Sequence, residues 1–487
     1  MSDRSLAIAG GAFVAFVVAG LLGLYEASLG VVLQGAALGL GTGLMAVGLV
    51  LIYRTTRVIN FAYGAMGTLS GSLATGLALG SLDLSWFLAA PIAIAAGVAV
   101  GLLIELLIIR RFANSPRLVL TVATIGLAQA LGGLALFVPD WLGADALNPG
   151  FSTPLSDVRW RVSPVTLNGN HFLLAGVVPL VLGALVWFLF RSEAGTAVRG
   201  MAENLDRARM VGIPVNRLNM LLWAVAGGLA AITIVLKAPT EGLSVDAAAG
   251  PSILLAPLAA AVIVGMRSIP GALLAGVAIE IVDQLAQINL DSRTWTSVVL
   301  LGVIVVGLLF QERRTARAES GAGGSWSTVG VGHRLPRPLA ALPEVRGARI
   351  LIALLVGGVL VAIPLVGSPA QINSATIALI YALAAISLVV LTGWGGSVSL
   401  GQFALVGVGG VVTANLIADQ NLDLIVSIGL SALAGGLIAA VIGIPALRVS
   451  GQLLAVTTLA FAVAMQTHII NPANYEGLAP SDYPRPE

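Results

Sequence analysis

The chain has 487 residues, of which 57% are hydrophobic and only 10% charged, with a net charge of +2 and no cysteine. A water-soluble domain carries about 25% charged residues, so a soluble globular protein is excluded, as are disulfides, thiolate metal sites and cysteine nucleophiles. The charge balance is too small to point to nucleic acid.

Apolar runs of about 20 residues follow one another nearly without pause, and they lack the alternation of barrel strands. Hydrocarbon leaves each backbone polar group to find an internal partner, so the expected fold is all-α: a polytopic transmembrane helical bundle of about fifteen spans. The first, near 7–27, follows Arg4 and reads as a retained helix, because no small-residue cleavage site follows it. Spans are then expected near 31–53, 61–80, 86–109, 118–138, 171–190, 218–237, 252–266, 270–289 and 295–310. After an interruption they resume near 349–366, 375–391, 399–418, 424–447 and 452–470. With a cytoplasmic N-terminus, Arg54, Arg57, Arg110, Arg111, Arg117, Arg267 and Arg448 fall inside, while Asp83, Asp140, Asp157, Asp291 and Asp423 fall outside. That agrees with the positive-inside rule and puts the end of this chain outside.

Positions 311–348 mix Arg, Gly, Pro and Ser without helical periodicity and read as a flexible cytoplasmic linker. The chain thus divides into a first membrane domain, 1–310, with about ten helices, the linker 311–348, and a second domain, 349–487, with about five. The two domains repeat one another. AVGLVLIYRTTRVINFAYGAMGTLSG from 46 lies over AISLVVLTGWGGSVSLGQFALVGVGG from 385 without a gap, and PRLVLTVATIGLAQAL from 116 lies over SGQLLAVTTLAFAVAM from 450. By this register the second copy is incomplete.

Between two spans lies EAGTAVRGMAENLDRARMVGIPVNR, 193–217, the longest charged stretch of its kind. Val198, Met201, Leu205, Ala208 and Val211 recur at spacings of three and four, which predicts one amphipathic helix with Arg199, Glu203, Arg207 and Arg209 on its other faces. Glu203 and Arg207 form a favourable four-residue pair. Such a helix lies in the lipid interface or inserts into a groove on a partner. Gly195, Gly200 and Gly212 permit close approach and a helix end. The chain has no phosphate-binding G-x-x-x-x-G-K-[ST] loop, and its one lysine, Lys237, has no such glycine partner, so energy must come from elsewhere.

INFAYGAMGTLSG (59–71), RGMAENLDRARMVGIPVNRLN (199–219) and APLAAAVIVGMRSIPGALLAG (256–276) resemble the signature regions of the first permease subunit of branched-chain amino acid ABC importers. GGSVSLGQFALVGVGG (395–410) and GIPALRVSGQLLAVTTLAFA (443–462) resemble the opening half of the second permease subunit. The order is that of a fused permease whose second half is truncated. Two departures stand out: Tyr63 and Gln402 occupy places where such proteins often carry His, and the second half lacks its own coupling loop.

The resemblance implies that the 193–217 loop docks on an ATPase subunit, with Gly195, Arg199, Gly200, Ala202, Glu203, Asn204, Arg207, Ala208 and Gly212 forming the coupling loop. It implies ATP and magnesium on those partner ATPase subunits and no cofactor on this chain. The other partners are a periplasmic or lipid-anchored substrate-binding protein and membrane lipid. The substrate would be a branched-chain amino acid, urea or a related small amide, carried across a bacterial inner membrane. Two chains pairing through their first halves would restore two coupling loops by symmetry.

A zwitterion crossing a bilayer needs sparse polar groups beside an apolar wall. Asn60 and Tyr63 in the first half, and Ser399 and Gln402 at matching places in the second, are the candidate pathway residues. Against them stands the common role of hydroxyls in bonding their own helix. Glu105, Glu280 and Asp283 lie within or near spans and are read as structurally paired or snorkelling, Glu105 beside Arg110 and Arg111 at its helix end and Asp283 toward the outer surface. In the alternative of an ion-coupled secondary transporter they would be the coupling site, and a permease inactive through truncation is a third reading. No catalytic constellation is evident: His171, His333 and His468 lie singly, without metal-ligand spacing, and neither a metal site nor a hydrolase elbow is expected.

Overall fold

The computed structural model describes residues 28–112, 115, 117–144, 153–243, 249–289, 295–310, 342–395, 398–418, 420, 422–446, 452–471 and 474. The expected span at 7–27 and the linker positions 311–341 lie outside the described residues. In chain order the first half has α1 (Leu29–Thr56), α2 (Tyr63–Leu79), α3 (Trp86–Ile104), α4 (Arg117–Trp141), α5 (Gly169–Arg191), α6 (Glu193–Glu203), α7 (Leu205–Met210), α8 (Val215–Glu241), α9 (Ala249–Ile263), α10 (Ile269–Asn289) and α11 (Trp295–Phe310). Then follow α12 (Pro343–Val366), α13 (Pro369–Leu388), α14 (Gln402–Ala418), α15 (Leu424–Ala446) and α16 (Gln452–Ala464). Each expected span from 31 onward coincides with one of these helices. The α12 helix begins at Pro343, inside the stretch read as linker, because a proline at the first helical turn loses no hydrogen bond.

One departure from an all-helical chain is a small antiparallel hairpin of β1 (Arg159–Val162) and β2 (Val165–Asn168). Its β-branched and aromatic residues favour extended backbone. Three helices also run on into π-helical turns, at Glu105–Ile109, Val389–Trp394 and Met465–Ile469.

Glycine sets the tightest helix contact. An added Cβ at Gly35, Gly39 or Gly43 of α1 would run into the backbone of Ile281, Val277 or Leu273 of α10. The spacing of four puts all three on one face, so two backbones approach as closely as in small-xxx-small membrane pairs. Gly35, Gly39 and Gly43 therefore line this seam, whereas Gly41 faces the Lys237 side chain. On the other side of the bundle Gly97 and Gly101 of α3 meet Gly227 and Trp223 of α8 in the same way. The core thus formed includes Leu38, Met45, Leu222, Leu254 and Leu258, each under 3% exposed.

The second half enters this core through α16 and through Val398, just before α14. Ala455, Val456, Leu459 and Ala460 of α16 share the main hydrophobic cluster with Leu300 and Ile304 of α11, and the ring of Trp295 lies 4.2 Å from that of His468. By contrast, α12 buries none of its residues and α13 buries only Ala384. Their apolar faces suit contact with lipid.

The two halves share local geometry at matching positions. Phe61 N–H donates to Thr124 Oγ1 at 3.4 Å, and Leu400 N–H donates to Thr458 Oγ1 at 2.9 Å. Ala62 N–H donates to Asn60 Oδ1 at 3.0 Å, and Gly401 N–H to Ser399 Oγ at 3.2 Å. In the register read from the sequence, each member of one pair corresponds to a member of the other. The helices that follow, α2 and α14, are each 17 residues long.

Candidate functional site

The charged loop folds as two short helices rather than one. Asn204 takes an extended backbone, φ −153° and ψ 108°, ends α6 and starts α7 by accepting a hydrogen bond from Arg207 N–H at 3.0 Å. The expected single amphipathic helix is thereby corrected: an asparagine satisfies free N–H groups better as a cap than inside a helix. No ion pair joins Glu203 to Arg207, because the helix ends between them.

Val198, Met201 and Ala208 pack inward at 2–4% exposure, as the stripe predicts, but Val211 is 76% exposed beside Met210 at 78%. Gly212, at φ +82°, turns the chain, and Ile213 N–H reaches back to the Ala208 carbonyl at 3.1 Å. This left-handed closure suits glycine.

The loop is fastened to the bundle at several points. Ser192 Oγ accepts from Gly195 N–H at 2.9 Å, and Gly195 lies so close to the α5 backbone at Phe188 and Leu189 that a side chain would clash. Arg57, at the end of α1, donates to the Ala202 carbonyl at 3.0 Å. Arg199 donates to Thr196 Oγ1 at 3.3 Å and lies over the Phe190 ring at 4.9 Å. Gly200 is exposed, with no intrachain backbone near the position of a Cβ. Glu203, Asn204, Arg207, Met210 and Val211 remain on the surface. The result is a braced protrusion with an apolar tip flanked by arginine.

The four pathway candidates are not brought together. Ser399 and Gln402 line a cavity of about 430 Å³ with Ser387, Leu405, Thr458 and Phe461. Asn60 spends its Oδ1 on the turn into α2 and its amide on Met66 Sδ at 3.7 Å. Tyr63 is fully buried against Gly48 of α1, and its hydroxyl finds no hydrogen-bond partner.

A second cavity, of about 440 Å³, opens among α1, α8, α9 and α10. At its wall Lys237 Nζ lies 3.1 Å from Glu241 Oε2 and 3.6 Å from Glu280 Oε2, and donates to Thr42 Oγ1 at 3.1 Å. Thr42 in turn donates to Glu280 Oε2 at 2.6 Å. Three helices are thus tied by one closed polar triangle. Asp283, one turn beyond Glu280, accepts from Gln287 Nε2 at 2.6 Å. Neither Asn60 nor Tyr63 lines either cavity.

The structural pairing expected of Glu280 is present, with a partner that the sequence reading left out. The signal was available: a lysine inside a 27-residue apolar helix is costly unless it is paired. Glu105 has the charge of Arg110 near it, as expected, but makes no close ion pair with it. It is 2% exposed, and its Oε2 has no hydrogen-bond partner. Among the described residues there is no group of side chains that could hold a metal ion.

Comparison with known proteins bears on these features. The family model described as "Branched-chain amino acid transport system / permease component" matches residues 31–309 and again 371–474. The chain is 27% identical over 289 residues to the high-affinity branched-chain amino acid transport system permease protein LivH of Salmonella typhimurium, covering 57% of this chain and 91% of that protein. It is 28% identical over 269 residues to the probable LivH of Methanocaldococcus jannaschii, covering 54% and 82%. To the autoinducer 2 import system permease protein LsrC of an Enterobacter species it is 28% identical over 284 residues, covering 56% and 76%. No solved structure gives a significant match.

Proposed function

The chain belongs to the family of branched-chain amino acid transport system permease components, and from that premise we propose that it moves a branched-chain or closely related amino acid inward across a bacterial inner membrane. It is a transmembrane permease subunit of an ATP-binding cassette importer. Separate ATPase subunits bind ATP and magnesium in this proposal, and a periplasmic or lipid-anchored binding protein delivers the solute. Both halves of the chain then act as diverged copies of one permease unit, a reading supported by the paired family matches and by the hydrogen bonds that recur at Thr124 and Thr458. Ser399 and Gln402 remain pathway candidates because they face a cavity.

The observation that carries the proposal is the braced α6–α7 protrusion. Its exposed Met210 and Val211 are unfavourable in water and suit an apolar groove on a partner, while Arg207 beside them is placed for acidic groups at the rim. A docked ATPase that closes on nucleotide would pull on α5 and α8, which flank the loop.

The test is substitution of Met210 and Val211 together by Glu, followed by affinity purification of the chain from cells that express its ATPases. We expect the ATPases to be lost and leucine uptake to fall at least tenfold, with unchanged amounts of membrane-inserted chain. Retention of both ATPases and uptake would remove the docking role of this tip.

A further inference from the structure

The second cavity has features that the packing of the bundle does not require. It lies toward the end of α8 remote from the α6–α7 loop: Lys237 is 22 residues beyond Val215, about 33 Å along a helix of 1.5 Å rise. Its volume of about 440 Å³ falls within the roughly 300–1,000 Å³ of small-molecule sites. The wall mixes two chemistries: Lys237, Glu241, Glu280 and Asp283 line it together with the apolar Leu38, Ile234 and Ile253.

Three carboxyl groups stand against one lysine here: Lys237 faces Glu241 and Glu280 directly, and Asp283 lies one turn from Glu280. Lys237 has three N–H groups, and Glu241, Glu280 and Thr42 lie around them. It is therefore committed to protein partners and is poorly placed to bind an incoming anion. Glu280 is deep, with 7% of its side chain exposed, whereas Glu241 keeps 32%. Glu280 lines the cavity as well but is held by Thr42 and Lys237, so Glu241 and Asp283 are the more exposed candidates for a ligand. Thr240 Oγ1, also on the wall, is buried without a hydrogen-bond partner.

We propose that this cavity holds the transported solute by its ammonium group. Glu241 and Asp283 accept the ammonium N–H bonds, the apolar wall receives an aliphatic side chain, and Lys237, Thr42 and Glu280 hold the site rigid. The solute class is a small aliphatic primary amine, of which an aliphatic α-amino acid is the transported form. This assignment rests on the importer reading for the identity of the solute, but not for the binding of an amine.

The experiment uses the full chain purified in lipid nanodiscs and a panel of probes in one titration format: L-leucine, 3-methylbutylamine, 4-methylpentanoate and sodium ion. Leucine and 3-methylbutylamine should bind and 4-methylpentanoate should not, because it keeps the side chain and the carboxylate but lacks the ammonium. The double variant Glu241→Gln, Asp283→Asn should weaken leucine binding at least tenfold in a chain that stays folded but melts somewhat lower, since Glu241 pairs with Lys237 at 3.1 Å while the Lys237–Thr42–Glu280 triangle is kept. Should the double variant unfold, Thr240→Val is the second variant, expected to weaken leucine binding severalfold in a folded chain.

Equal binding of 4-methylpentanoate and leucine overturns the proposal, as does wild-type affinity in a folded double variant. Competition by sodium alone, with no amine binding, reassigns the cavity to an inorganic cation and also overturns it. The importer reading fails separately: amine binding by a chain that retains no ATPase leaves the site standing and removes the importer, while ATPase-driven leucine uptake unaffected by the double variant does the reverse.

Discussion

Tyr63 shows how a single side chain can carry opposite readings. A tyrosine at the head of a polar span invites a place on a solute path, yet its ring is packed against Gly48 and its hydroxyl is buried without a partner. Burying a hydroxyl unpaired costs about 1–3 kcal/mol on mutational scales. Tyr63→Phe keeps the ring and removes the hydroxyl, so the chain should become more stable by about 1 kcal/mol, read as a rise in apparent Tm in detergent, with uptake unchanged. A fall in uptake at equal expression would return Tyr63 to the pathway. Lys237 makes the complementary case. Removing one partner of a buried ion pair costs about 3–5 kcal/mol, whereas replacing both with apolar groups is often neutral. Lys237→Met should therefore lower the apparent Tm sharply, and adding Glu280→Leu should restore part of it, since Glu241, the nearer partner at 3.1 Å, is still left without its lysine. If the double variant melts no higher than the single one, the pair is not the element that holds α1, α8 and α10 together.

At the scale of elements, the spans were legible because length and apolarity are strong signals in a bilayer, and each expected span from 31 onward is a helix. The interruptions were harder to read. Spacing of apolar residues carried one helix through 198–211, although Asn204 already offered a cap; the 3.6-residue period outweighed one residue's local preference. The π-helical turn at Glu105–Ile109 has no periodic signature at all. Among site residues, the loop glycines were legible as places of close approach, and Gly195 is one. The Lys237 cluster was not, because its members lie on three helices and nothing in a linear chain brings Thr42 to Glu280. The cap at Asn204 has a measurable consequence. Asn204→Ala removes the acceptor for Arg207 N–H and should cost about 1 kcal/mol locally. Amide exchange across 205–210 should quicken, while α5 and α8 keep their protection. ATPase stimulation should fall with it. Unchanged exchange would mean that α7 is held by its packing at Ala208 and not by its cap.

For the molecule as a whole, the division of polar features between its two ends makes orientation the property on which the rest depends. The α6–α7 protrusion and Arg57 gather at one end of the bundle, and the β1–β2 hairpin packs near Gly30 at the other end of α1. On the proposed orientation, the arginine excess at the first end would face the cytoplasm, as the positive-inside rule expects. The cavity beside Lys237 would then open toward the side from which a binding protein delivers solute, and the tip at Met210 toward the ATPases. Because the chain has no cysteine, single substitutions report on this without background. Trp160→Cys, on the exposed hairpin, should react with a membrane-impermeant maleimide in intact spheroplasts. Met210→Cys should react only in inverted vesicles, and Leu355→Cys, on the apolar face of α12, in neither. Labelling of Met210→Cys from outside would invert the bundle. The protrusion would then lie where no ATP is available, and both the docking surface and the direction of the cavity would have to be abandoned together.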